Sequence, residues 1–400
     1  MRKTSTKNGF SLVGVIIIII VTAIVSGLAT GVIVTNNYKN IEIADYKVSE
    51  DEDLQEFVDL YKTILNKYYD DIDKSKMLKT AENAMLEFLG DKYTEILSDS
   101  EYETLMSSLK DDYEGIGVTI KNNTIIKVAK DSPAESAGLK ENDIIVSVNN
   151  QNVENLDNSD IGDIIKNSDK TVSLIIKRDD NLQNYTIKKA NIEYPYAEGN
   201  IIDNTSIGYL SISAFSENLS SQVSKELKSL EKNSISGLII DLRNNSGGYL
   251  SAAAETSSLF LKKGLTIYSL SSTSGESKVS DKTEEHREYP IIVLVNKQTA
   301  SAAEILASAL KHSYGATLVG NVTYGKGKVQ QISSLKTGET VKYTTAKWLM
   351  PNGICIDGVG IPVDYQVDLE YTYDEEGNVT GYTDTQYNKA VELLTTNYTE

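Results

Sequence analysis

Two histidines, one cysteine, one tryptophan and five prolines are all that the 400 residues contain. With Cys355 alone, neither an intramolecular disulfide nor a Cys-x-x-Cys zinc site can form. His286 and His312 are too few for most histidine-built metal sites, and a Ser-His-Asp triad would have to use one of them. His286 stands in the charged stretch DKTEEHREYP and reads as solvated. His312 ends a predicted helix, where the helix dipole favours a cation. Positive charge is also short: 39 Lys and Arg face 57 Asp and Glu, a net charge of -18. Such a surface repels phosphates, so nucleic acid is not the expected partner. Many of the acids fall in residues 49–115 and read as a solvated face.

Uncharged hydrophobic stretches are short with one exception, FSLVGVIIIIIVTAIVSGLATGVIV at residues 10–34. It is about long enough to cross a hydrocarbon layer of roughly 30 Å. Arg2, Lys3 and Lys7 precede it and acids follow. The expected arrangement is a cytoplasmic tail (1–9), a single transmembrane helix (10–34) and the remainder outside the cytoplasm. The run is long for a signal-peptide core and no Ala-x-Ala site follows, which favours an uncleaved anchor. Gly27 and Gly31 have the GxxxG spacing of paired membrane helices.

Residues 35–51 read as a linker. Over 52–110, apolar residues recur at helical steps (Leu54, Phe57, Val58, Tyr61, Ile64, Leu65), and a second helix over Ser75–Leu89 ends at Gly90. These stripes predict core-making helices. From Tyr113 the texture becomes short strands and turns, a strand-rich unit over 111–193. From Asn200 strand and helix alternate, which predicts an α/β layer fold over 194–370 with an extension at 371–400.

Three polar clusters fall at the ends of predicted buried strands, where α/β proteins place their sites. In NKQTASAAE, Ser301 or Thr299 would cap a helix whose free N–H groups suit an oxyanion. Small neighbours there admit a substrate backbone. In DLRNNSGG, the Gly247 N–H would be one oxyanion donor, paired with that of Ala302. Ser246 is a rival nucleophile in a turn-making context. The third cluster, GNVTYGKGKVQ, is close to a phosphate-binding loop. It has Gly327 where that loop needs Ser or Thr, and a predicted strand where it needs a helix. Lys326 can instead be a general base if burial lowers its pKa, with Ser301 to activate and Gln330 to position the amine.

DLRNNSGG, TASAAEIL and TYGKGKVQ, in that order, resemble the signature blocks of the carboxy-terminal processing, or tail-specific, proteases. GIGV with SPAESAGLKENDIIVSVN resembles the PDZ domain of that family, and GVGIPVDYQV its closing strand motif. The resemblance implies an α/β multidomain chain: membrane helix, helical segment, β-rich PDZ domain and a crotonase-like protease core of ββα repeats. It implies a Ser-Lys peptidase with Ser301 as nucleophile, Lys326 as base and Gln330 as positioning residue. Gly247 and Ala302 would form the oxyanion hole, with no metal, nucleotide or other cofactor. The PDZ loop Gly115, Ile116, Gly117 and Val118 would bind the C-termini of polypeptide substrates, with Ile116 and Val118 lining a pocket for the last side chain. PDZ movement would gate the site, and residues 52–110 would make a homodimer. Ala303 stands where Ser is usual, and Ser246 where Pro is. Asn142 and Asn150 replace usual glycines, which bears on loop shape and peptide affinity. A catalytically silent PDZ scaffold is the alternative, and it would predict loss of Ser301 or Lys326.

Overall fold

The computed structural model describes residues 51–396 apart from 336, 337 and 375. The expected membrane helix at 10–34, the tail before it and nearly all of the linker lie outside the described residues. Among the described residues no helix is long and apolar enough to cross a membrane. One unit holds the described residues up to Leu109 and from Tyr196 onward; the other spans Lys110–Pro195.

Helices α1 (Glu52–Lys67) and α2 (Lys74–Phe88) start where Asp51 and Asp73 accept the Leu54 and Lys76 N–H groups at 2.9 and 3.0 Å. Their apolar stripes, expected to make core, bury no residue in this chain. Phe57, Leu60, Leu78, Met85 and Phe88 stay exposed. The helical run is also interrupted: β1 (Glu95–Leu97) pairs antiparallel with Thr340–Lys342 before α3 (Asp99–Ser107), which opens on a Ser98/Glu101 capping box.

The Lys110–Pro195 unit runs β2 (Asp112–Gly115), β3 (Val118–Lys121), β4 (Thr124–Val128), α4 (Pro133–Ala137), β5 (Ile144–Val148), β6 (Gln151–Asn152), α5 (Asn158–Lys166), β7 (Thr171–Arg178), β8 (Asn181–Lys188) and β9 (Ala190–Glu193). Strands β3-β4-β5-β7-β8 form an antiparallel sheet with β3 at one edge. The two-residue hairpins Asn122-Asn123, Asn149-Asn150 and Asp179-Asp180 all have positive φ at both positions. That twist suits hairpins, and Asn and Asp tolerate it. Asn142 and Asn150 take φ of 70° and 66°, so they adopt the left-handed backbone for which glycine would be used.

From Tyr196 come β10 (Ala197–Ile201), β11 (Ile207–Ile212), α6 (Leu219–Glu231), β12 (Gly237–Asp241), α7 (Leu250–Ser258), β13 (Thr266–Ser272), β14 (Gly275–Ser280), β15 (Ile291–Val295), α8 (Ala302–Ala309), β16 (Thr317–Gly320), β17 (Lys328–Ser334), β18 (Thr340–Leu349), β19 (Tyr365–Gln366), β20 (Glu370–Tyr373), β21 (Val379–Thr383) and α9 (Thr385–Thr396). The central sheet is β10-β11-β12-β15-β16-β19, parallel from β11 onward. Strands covered on both faces need continuous apolar runs, and GLIID and IIVLV are buried at every position. Alternate residues serve opposite faces. Leu238, Ile240, Val293 and Val295 join the larger core, whereas Ile239, Ile292, Leu294 and Val319 pack with Ala390 and Leu394 of α9. The extension at 371–400 therefore supplies one of the sheet's covering helices. A second sheet, β1-β18-β13-β14 with β17 on β18, carries the lysine loop.

His312 lies in a π-helical turn, Leu310–Tyr314, that ends α8. Partial desolvation and the neighbouring Lys311 lower its pKa from the usual histidine value, although the residue is exposed.

Ile240 is fully buried at the centre of the sheet. Ile240→Ala should cost about 2–5 kcal/mol through lost burial and a residual cavity. Denaturant unfolding of the purified chain reads that loss.

Candidate active site

The site lies where parallel strands β12, β15 and β16 end. Past β15, Thr299 Oγ1 donates to the Leu242 carbonyl at 2.8 Å and accepts the Asn296 N–H at 3.0 Å. Thr299 thus stitches two strand ends together and leaves Ser301 as the residue in front of α8. Ser301 has φ 55° and ψ -120°, a region that L residues rarely adopt. Strain of this kind needs surrounding structure to hold it.

Glu304 supplies that hold. It is fully buried. Its Oε2 accepts the N–H groups of Ser301 at 2.8 Å and Lys326 at 2.9 Å; its Oε1 accepts the Thr323 hydroxyl at 2.5 Å and the Gly325 N–H at 2.7 Å. One carboxylate therefore joins the backbone of the serine to that of the lysine. Burial pushes its pKa above the usual carboxylate value, against the pull of these four donors. The pattern Ser-x-x-Glu is a capping-box signature, a signal by which sequence reading could have found this residue.

Those contacts also settle the phosphate question. The Gly325 and Lys326 N–H groups donate to Glu304, and the Gly327 N–H donates to Asp357 Oδ1 at 3.2 Å. β17 follows instead of a helix. The loop's backbone donors are committed to carboxylates and do not form a phosphate cradle. Gly325 has φ +85°, and a Cβ there would lie 2.7 Å from the Gly360 nitrogen, so the loop path requires glycine.

Ser301, Lys326, Gln330, Ser246, Gly247 and Gly248 line one cavity of about 160 Å³, closed on its apolar side by Leu105, Leu109, Leu250, Ile305, Val329 and Trp348. Burial, helped by the charge of Lys342, holds the Lys326 amine below the usual lysine range; Glu304 pulls the other way. Trp348 Nε1 donates to the Lys326 carbonyl at 2.8 Å and fixes its backbone. Gly247, at φ +101°, approaches so closely that a Cβ would lie 2.9 Å from the Ala302 nitrogen.

Some expected contacts are not made. Among the described residues, the Lys326 amine has no hydrogen bond to Ser301 or Gln330. Gln330 is buried and donates to Thr344 Oγ1 at 3.2 Å. The Gly247 N–H donates to Asn245 Oδ1 at 2.8 Å, while the Ala302 N–H, in the first turn of α8, has no acceptor among the described residues. Ser301 and Lys326 therefore line one cavity without a hydrogen bond between them. Ser246 is exposed on the rim, in a turn, as its context predicts.

In the other unit, Ile116 is 1 % exposed and belongs to that unit's core. Its side chain packs into that core beside Gly117, whose φ is +87°, and so lines no open pocket among the described residues. Val118 is half-buried and packs against the same core. Gly115 ends β2, and Val118 begins the edge strand β3.

An α/β core with a serine at a helix start, a partly buried lysine lining the same cavity and a separate small antiparallel domain fits a serine-type peptidase architecture. The description Peptidase family S41 matches residues 206–367, and PDZ domain matches residues 124–178. The carboxy-terminal processing protease CtpB of Bacillus subtilis (strain 168) is 37% identical over 311 residues, 75% of this chain and 65% of that protein. CtpA of the same organism is 32% identical over 375 residues, 88% of this chain and 76% of its own length. Among solved structures, a photosystem II D1 C-terminal processing protease covers 80% of this chain and 95% of its own at 24% identity and TM-score 0.47. The chain belongs to peptidase family S41, among the carboxy-terminal processing proteases.

A lysine whose pKa is lowered on folding destabilises the fold most below that lowered value, and the cost vanishes as pH rises to about 10.5, where the unfolded chain also loses the proton. Lys326→Met should therefore unfold at higher denaturant than the native chain at neutral pH. The difference should shrink as pH approaches 10, in paired unfolding curves.

Proposed function

We propose that this chain is a membrane-anchored serine endopeptidase that hydrolyses polypeptides outside the cytoplasm, using Ser301 and Lys326 and selecting substrates by their C-termini. The observation that carries the reading is the partly buried, desolvated amine of Lys326, without an ion-pair partner among the described residues, lining the same cavity as a serine held in a strained backbone at a helix start.

Substrate entering the cavity displaces water and brings the two groups into contact; such bonds commonly tighten only in the complex. The neutral Lys326 amine takes the Ser301 proton as Oγ attacks the scissile carbonyl. The Ala302 N–H stabilises the oxyanion, joined by the Gly247 N–H once it leaves Asn245. The ammonium then protonates the leaving amine, and an acyl-enzyme remains. Water, deprotonated by the same lysine, releases the product. Gln330 lies on the cavity wall, placed to steady the amine once it swings toward Ser301.

The edge strand β3 supports C-terminal recognition, since a peptide can add to it as a further strand while its carboxylate meets N–H groups of Gly115–Val118. The unpartnered stripes of α1 and α2 support a second copy of the chain as their cover, a homodimer. The uncharged run at 10–34 behind Arg2, Lys3 and Lys7 supports the anchor, with the N-terminus cytoplasmic.

The test is cleavage of an unstructured peptide ending in an apolar residue. Ser301→Ala and Lys326→Ala should each lose at least about 10³-fold in kcat. The native rate should rise from neutral to alkaline pH as the amine discharges, and amidating the peptide's C-terminus should raise KM. Equal cleavage by all three proteins defeats the assignment. A separate measurement addresses assembly: the full chain should need detergent for extraction from membranes and should sediment as a dimer, and Leu60→Glu should convert it to a monomer.

A further inference from the structure

One partly buried cation in the site has no hydrogen-bonding partner among the described residues, and that is the Lys326 amine. What it does have is an aromatic face. Its Nζ lies 5.3 Å from the ring centroid of Tyr93. Two other amines surround the same ring, Lys92 at 5.0 Å and Lys328 at 5.7 Å, and both are otherwise engaged. Lys328 pairs with Asp91 at 2.9 Å, and Lys92 is exposed and reaches the Tyr324 hydroxyl at 3.4 Å.

The ring is held firmly. Tyr93 sits in a turn in which the Thr94 N–H donates to the Asp91 carbonyl at 3.1 Å. The Asp91 carboxylate accepts from Thr94 Oγ1 at 2.7 Å and from the Tyr93 N–H at 3.3 Å. The Thr344 N–H donates to Thr94 Oγ1 at 3.1 Å, and β1 continues the pairing onto β18. The turn is thus fastened to the hairpin that carries the lysine loop.

We propose that Tyr93 is a positioning residue for the base: its ring face is the resting seat of the protonated Lys326 amine, which must leave that seat and lose its proton to solvent before it can take the proton of Ser301. The inference rests on Lys326 being the base. An aromatic face attracts an ammonium and is indifferent to a neutral amine, so the seat stabilises the form that cannot act. The other charges acting on Lys326 are few. Lys342 opposes its proton and Glu304 favours it. Lys92 and Lys328 share the ring, and the charge of Lys328 is answered by Asp91 and Asp357. Against that balance the ring sets how readily the base is armed.

The experiment uses the full chain and the same unstructured peptide, with kcat/KM measured against pH. Tyr93→Leu and Tyr93→Met keep apolar bulk over the amine and remove the ring face. Their acid limb should move to lower pH by about half a unit to one and a half units. Tyr93→Phe, which keeps the face, should leave the limb in place. A rate loss without movement of the limb in Leu and Met, or movement in Phe equal to theirs, overturns the proposal. If the Leu variant does not fold, Met carries the test; if neither does, the fully folded Phe variant still decides, by limb position and by acetic anhydride labelling of Lys326, since a changed reactivity at fixed pH would refute the seat. Lys326→Ala separates the two readings. Activity surviving in it removes the base itself, whereas an inactive Lys326→Ala beside an unmoved Leu or Met limb removes only the role of Tyr93.

Discussion

Everything in the site depends on one buried carboxylate. Glu304 accepts four hydrogen bonds, and two of them come from the backbone of the serine and of the lysine. The strained turn at Ser301 and the glycine-flanked loop at Lys326 are therefore parts of one object. Neither piece would keep its shape alone. A left-handed serine relaxes without an acceptor for its N–H, and a loop with three inward-facing N–H groups collapses without carboxylates to receive them. The charge of Glu304 is tolerated in the interior because every donor around it is fixed by covalent geometry, so no side chain must be ordered to satisfy it except that of Thr323.

The lysine shows the opposite economy. Its amine is partly buried beside apolar walls and, among the described residues, is paired with no acid, only drawn weakly by Glu304, an arrangement that costs stability and lowers its proton affinity together. In the proposed mechanism that lost stability is exchanged for a lysine able to act as a base, a common bargain at active sites. Ser301 and Lys326 line one cavity without a hydrogen bond between them, and the Gly247 N–H is turned onto Asn245.

Much of this was legible in the sequence. The parallel strands announced themselves as unbroken apolar runs, because burial on two faces leaves no position for a polar residue. Ser301, Lys326, Gln330 and Gly247 were all marked by their places at strand ends, and they do share one cavity. The misreadings have particular causes. The stripes of α1 and α2 have the right period for a core, but periodicity says only that a face is apolar, not what covers it. Ile116 was placed at a ligand pocket because its loop is identified by sequence, yet its side chain packs into the core beside the left-handed Gly117. Tyr93 could not have been found, since a ring more than two hundred residues from the lysine in sequence meets it only through the β1–β18 pairing.

That pairing has a consequence for how the enzyme comes into being. Part of the cavity wall, Leu105 and Leu109, comes from residues before the PDZ domain, while Ser301, Lys326 and the strand that receives β1 all come after it. The catalytic body is split in the chain, with a whole domain inserted in its midst. A nascent chain emerging from the ribosome therefore carries no peptidase until its last third has appeared, and no contiguous fragment that omits the small domain can rebuild the site. Synthesis order itself keeps the protease latent.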